Sequence, residues 1–141
     1  MDPISITAGC VALTATATKL ADTITRFVRD VRVARADLDA VSRELGSLKL
    51  ILLTLGDEFV DEGSDDAVEL PATLRKQIQD MIGNCQAVLV DIGRLLEEQK
   101  KSRIGEAQRW TLTGKADVSR LQMSLAAHRG ALDIALELVN V

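Results

Sequence analysis

The sequence predicts an all-α fold, an up-down-up-down four-helix bundle, on three observations. Four long stretches carry apolar residues at alternating steps of three and four, the pattern of a helix with one buried face. The hydrophobic fraction is 47% but the aromatic fraction only 2%, so the core must be Leu, Val, Ile and Ala, which suits helix packing better than a β-sandwich. Both prolines, Pro3 and Pro71, fit the first turn of a helix, where a backbone N–H has no partner. A chain of 141 residues forms one domain, long enough to bury a core.

Helix 1 is expected over about residues 3–30. Asp2 can cap it, and Ile6, Cys10, Leu13, Ala17, Leu20, Ile24 and Phe27 make its stripe. The opposite side is unusual. A surface helix ordinarily carries Lys and Glu there, whereas this one carries Ala8, Ala12, Ala15 and Thr16, with no charge between Asp2 and Lys19. Such a helix is either packed nearly all round or kept clear of charge for a partner or a bilayer. The uncharged run from Pro3 to Thr18 spans roughly 24 Å as a helix, short of the roughly 30 Å hydrocarbon core. Ala8, Ala12 and Thr16 form a small-xxx-small row that would let helices approach closely in lipid.

A break is expected near residues 31–34, since one helix from Pro3 to Phe59 would have no folded-back partner. Helix 2 follows over about residues 33–60, with Leu38, Val41, Leu45, Leu48, Leu52, Leu55 and Phe59 as its stripe. Arg35/Asp39 and Asp39/Arg43 are spaced as ion pairs on its wet face. Gly46 should mark close packing with a neighbour and Gly56 a fraying end. Asp57–Glu69 contains seven acidic residues and no basic one. It reads as a solvated connector, its spacing unlike a calcium-binding EF-hand loop.

Helix 3 opens at Pro71 and runs to about Ser102, with Leu74, Ile78, Met81, Cys85, Val88, Ile92, Leu95 and Gln99 at heptad steps, widened by Leu89 and Leu96. Lys100, Lys101 and Arg103 suit its C-terminus. Residues 103–113 read as a connector whose Trp110 plugs one end of the bundle. Helix 4, about residues 114–138, has Val118, Leu121, Leu125, His128, Leu132, Ala135 and Val139 on its stripe, which predicts a buried, neutral, hydrogen-bonded histidine.

These residues exclude several function classes. The net charge of −4 offers no case for nucleic acid. Cys10 and Cys85 fall on apolar stripes and read as reduced core residues of an intracellular protein rather than a disulfide or metal pair. The amino terminus lacks the basic region of a signal peptide and the glycine of a myristoylation site. No phosphate loop, nucleophile elbow, Cys/His cluster or Glu-x-x-His pair occurs, so no cofactor, no metal and no enzymatic activity are expected. Arg26, Arg29, Arg32 and Arg35 recur every third residue. They form either a solvated face or a basic arc drawn to anionic lipid headgroups, worth about 1 kcal/mol per charge near the membrane. Asp22, Asp30 and Asp37 would weaken that attraction.

Two stretches carry a family resemblance. The opening MDPISITAG with its uncharged helix to Lys19, and Arg109–Leu138 with Trp110, Gly114, Lys115, Leu121, Leu125, His128, Arg129, Ala131 and Leu132, resemble the HeLo-like N-terminal domains of fungal NOD-like receptors of the STAND class. The middle of the chain is similar only in its helical pattern. The resemblance implies a helical bundle that executes regulated cell death by oligomerising and disrupting the plasma membrane with its N-terminal helix. Ile4, Ile6, Cys10, Val11, Leu13 and Leu20 would then be the inserting residues. It also implies anionic plasma-membrane lipids and further copies of the chain as partners, a NOD-like receptor partner or a fused nucleotide-binding domain, and a cytoplasmic resting state. The acidic pore-lining residues of the plant relatives are missing from Pro3 to Ala21, so membrane disruption fits better than a cation channel of that kind. The other reading is a protein-interaction module that never touches lipid.

Overall fold

The computed structural model describes residues 6–59, 71–101 and 106–139. Four antiparallel or parallel rods build an all-α four-helix bundle, with no strand among the described residues. They are α1 (Ile6–Asp30), α2 (Arg35–Glu58), α3 (Ala72–Lys100) and a composite fourth rod. That rod consists of a short α4 (Glu106–Arg109), a π-helical turn (Trp110–Gly114) and α5 (Lys115–Val139).

The stripes read from the sequence become the core. All seven residues of the α1 stripe are buried, as are all seven of the α2 stripe, with Ile51 beside them. α3 buries Ile78, Ile82, Cys85, Val88, Leu89, Ile92, Leu95, Leu96 and Gln99, while Leu74 and Met81 pack at the margin. The break between α1 and α2 is a 3-10 turn, Arg32–Ala34. Val31 and Ala34 are buried in the turn, so apolar anchoring reverses the chain here without proline or glycine.

Direction alternates along the chain, but spatial neighbours do not follow chain order. α1 lies antiparallel to α2, with Thr7 Oγ1 donating to the Phe59 carbonyl at 3.0 Å. It runs parallel to α3, since Gly9 faces Ile82, Gln86 donates to Thr16, and Asp30 meets Lys100. α2 runs parallel to α5, as Asp37 meets Trp110 and Glu44 meets Arg129. α3 and α5 complete the square, so α2 and α3, consecutive in sequence, sit diagonally.

Several local expectations are corrected. Residues 106–113 are helical rather than a connector, because Trp110 and Gly114 are buried against Gln99 and Phe27 and the chain stays wound to place them. His128 is only half-buried, and its side chain has no hydrogen bond among the described residues. α5 buries chiefly one residue per heptad, Val118, Leu125 and Leu132, and this leaves the alternate positions Leu121 and His128 at the edge of the contact. The two α2 glycines exchange roles. Gly46 faces open space, whereas a Cβ on Gly56 would stand 3.8 Å from Cys10 Cβ, where α1 and α2 approach. The expected Arg35/Asp39 and Asp39/Arg43 ion pairs do not form. The ion pairs of the described residues are Asp22–Arg26, Asp91–Arg94, Asp117–Arg120, Asp30–Lys100 and Glu44–Arg129.

Candidate functional site

α1 presents two faces of different chemistry. Its inner face puts Ile6, Cys10, Leu13 and Leu20 in the core, each 5% exposed or less. Among the expected inserting residues only Val11 faces out, at 66% exposed, and Ile4 lies outside the described residues. The outer face of the first half, Ala8, Val11, Ala12 and Ala15, is exposed and uncharged. Thr16, grouped with that face in the sequence, turns toward α3, where Gln86 Nε2 donates to its hydroxyl at 2.9 Å.

The hydroxyls of α1 add to this character. Thr14, Thr16, Thr18, Thr23 and Thr25 each donate to the carbonyl four residues back, at 2.7–3.1 Å. A threonine bonded this way leaves no donor demanding water. The helix surface is therefore less polar than its composition. No described helix, however, is long and apolar enough to cross a membrane.

A shallow groove runs between α1 and α2, lined by Thr7, Cys10, Val11, Thr14, Leu52 and Leu53 and closed by Gly56 and Asp57. Leu53 is 65% exposed beside it. Neither cysteine is in a disulfide and both are buried. Burial pushes the Cys85 thiol up from 9.0 to about 11, which makes it a poor nucleophile. No group of His, Cys, Asp and Glu able to hold a metal occurs among the described residues.

The four candidate arginines are all exposed. Arg26 pairs with Asp22 at 3.1 Å, while Arg29, Arg32 and Arg35 form no ion pair among the described residues. They gather at the end where α1 turns into α2. The C-terminus of α3, ending Lys100 and Lys101, reaches the same end because α3 runs parallel to α1. These lysines join the same pole through the alternation of direction, and adjoin α1 through neighbour order.

This end is held by one buried cluster. Trp110 is 1% exposed. Its ring lies 5.4 Å from that of Phe27, and its Nε1–H donates to Asp37 Oδ2 at 2.9 Å. It is the plug expected from the sequence, tying the fourth rod to both α1 and α2. A Cβ on Gly114 would stand 2.5 Å from the Trp110 ring and 2.9 Å from Gln99 Cδ, so only glycine fits beside them.

The fold places the chain in the class of all-α four-helix bundles. The chain belongs to the family described as pigment biosynthesis cluster protein PigL N-terminal, whose model matches residues 1–141. This agrees with a fungal N-terminal helical domain. No curated protein and no solved structure matches the chain.

Proposed function

We propose that this domain is a HeLo-like, non-enzymatic effector that self-associates and disrupts an anionic plasma membrane through α1, executing regulated cell death. It would rest in the cytoplasm and move to the membrane on activation by a NOD-like receptor or a fused nucleotide-binding domain. The observation that carries this reading is the outer face of α1, with Ala8, Val11, Ala12 and Ala15 exposed and uncharged and the neighbouring threonine donors satisfied within the helix. A solvated helix face gains from charge, and a face that meets lipid must do without it.

The inner stripe sets the energetic condition. Ile6, Leu13, Leu20, Ile24 and Phe27 are buried, and exposing each large apolar side chain costs about 1.5–3 kcal/mol. Releasing all five costs on the order of a whole domain's stability, about 5–15 kcal/mol. Activation must therefore supply new burial, in lipid or in other copies, as α1 leaves the bundle.

Ala12→Glu separates folding from membrane action. Ala12 is exposed, so the carboxylate stays hydrated in the folded bundle and stability should change by less than about 0.5 kcal/mol. Inserted in a bilayer, an acidic side chain at mid-helix costs about 2.5–3.5 kcal/mol. The expected result is an unchanged thermal melt with loss of dye leakage from phosphatidylserine vesicles. A folded variant that still causes leakage would remove α1 from the mechanism.

A second reading, a protein-interaction module, is favoured by the apolar groove between α1 and α2 and by the exposed Leu53 at its edge. A wild-type domain that self-associates or binds protein partners but leaves every vesicle intact would select it.

A further inference from the structure

The end of the bundle at the α1–α2 turn combines unpaired cations with exposed aliphatic side chains. Arg29, Arg32, Arg35 and Lys101 are exposed there, and none forms an ion pair among the described residues. Two of the acids at this end are engaged, since Asp30 bridges Lys100 at 3.5 Å and Asp37 accepts the Trp110 indole N–H. Asp39, Glu97 and Glu98 are exposed one turn back along α2 and α3 and leave the five cations Arg29, Arg32, Arg35, Lys100 and Lys101 at the tip itself. The 3-10 turn packs against the π-helical turn, and each offers a large apolar side chain to solvent. Val33 is 49% exposed and Leu112 is 67% exposed.

We infer that this end is the surface by which the domain docks end-on to an anionic lipid bilayer. The inference rests on the membrane reading above and adds an orientation to it. Cations at the tip face headgroup phosphates and carboxylates, and Val33 and Leu112 reach the interfacial region, where apolar side chains gain by leaving water. A nucleic acid would use the cations but leave both aliphatic side chains hydrated, and the chain as a whole carries −4, so lipid is the better match.

The orientation has a mechanical consequence. α1 has 25 residues, about 38 Å of helix. Docking at its C-terminal end holds its charge-free half at the far end of the molecule, away from the bilayer. Docking and insertion are then separate steps, the second requiring α1 to leave the bundle or the domain to reorient.

The test is co-sedimentation with phosphatidylcholine vesicles, with and without phosphatidylserine. Arg32→Glu/Lys101→Glu should weaken binding to the anionic vesicles more than about tenfold. Leu112→Ser should weaken it a few-fold, and this loss should persist in high salt, where the ionic part is screened. Both variants alter exposed side chains, so circular dichroism should stay that of the wild type. Ala12→Glu should bind as wild type while losing leakage. Pole variants that bind as tightly as wild type would overturn end-on docking and leave the membrane reading standing. A wild-type domain that binds no vesicles would overturn both. Equal binding to neutral vesicles, or binding of a DNA duplex in preference to anionic vesicles, would also overturn the inference.

Discussion

Gly46 and Cys85 show how far single residues are set by their surroundings. Gly46 sits inside α2 with open space where a Cβ would go. Glycine costs a helix interior roughly 0.5–1 kcal/mol relative to alanine. Gly46→Ala should therefore stabilise the domain by about that amount, read as a higher midpoint in urea with unchanged slope. Cys85 carries a folded thiol pKa raised from 9.0 to about 11 by burial. The neutral thiol is favoured by folding, so its contribution is fully present below pH 9 and is lost as pH rises through about 11. The melting temperature should fall across that window, and the fall should be shallower in Cys85→Ala. The chain has no tyrosine, so no phenol titrates in the same range. Leu13, at 1% exposed, provides the opposite case to Ala12 one position away. Leu13→Ala should cost roughly 2–5 kcal/mol, measured by urea denaturation.

At the scale of elements, the junction around Trp110 decides how the fourth rod begins. Helix propensity alone does not start a rod at Glu106. The indole anchors it by packing on Phe27 and donating to Asp37, and Gly114 lets the turn wind past Gln99. Asp37→Ala would leave the buried indole N–H without its acceptor, at a cost of about 1–3 kcal/mol. Asp37→Asn retains an acceptor and should recover most of that loss. Trp110 is the only tryptophan, so its fluorescence reports the junction directly during denaturation. α1 belongs at this scale too. Its threonines return their donors to their own helix, and its outer face changes from Ala8, Val11, Ala12 and Ala15 to Asp22, Arg26 and Arg29 within about six turns. One helix thus has a charge-free half and a charged half, both stacked on a single continuous core stripe.

For the whole molecule, the diagonal placement of α2 and α3 matters most. It makes the parallel helices α1 and α3 neighbours, so their C-terminal ends, with their arginines and lysines, lie side by side at one pole. A ring in chain order would make α2 and α3 neighbours and place α3 across from α1. The same alternation of direction puts the exposed Asp57 and Glu58 at the other pole with the start of α1. Arg75 and Lys76 at the start of α3 share that pole, so each end of the bundle carries both signs of charge. The membrane reading expects binding to weaken with salt, because exposed charges act over a Debye length of about 8–10 Å at ordinary ionic strength.

The core, the helical class and the alternation of direction were legible from periodicity, because a three-four stripe on a long charged chain has few ways to hide from water other than a bundle. The uncharged outer half of α1 was legible for the same reason, since four successive outward positions lacked charge. Neighbour order was not legible. Apolar stripes say that helices pack, and similar Leu, Val and Ile surfaces do not say which helix lies beside which. That choice came from particular contacts between distant residues, Thr16 with Gln86, Asp37 with Trp110 and Glu44 with Arg129. His128 and Gly46 were misread because a heptad position is buried only where a partner helix covers it. The basic pole follows from the alternation of direction, which brings the ends of α1, α2 and α3 that carry its charges to one side of the bundle; neighbour order decides only that the α1 and α3 ends adjoin.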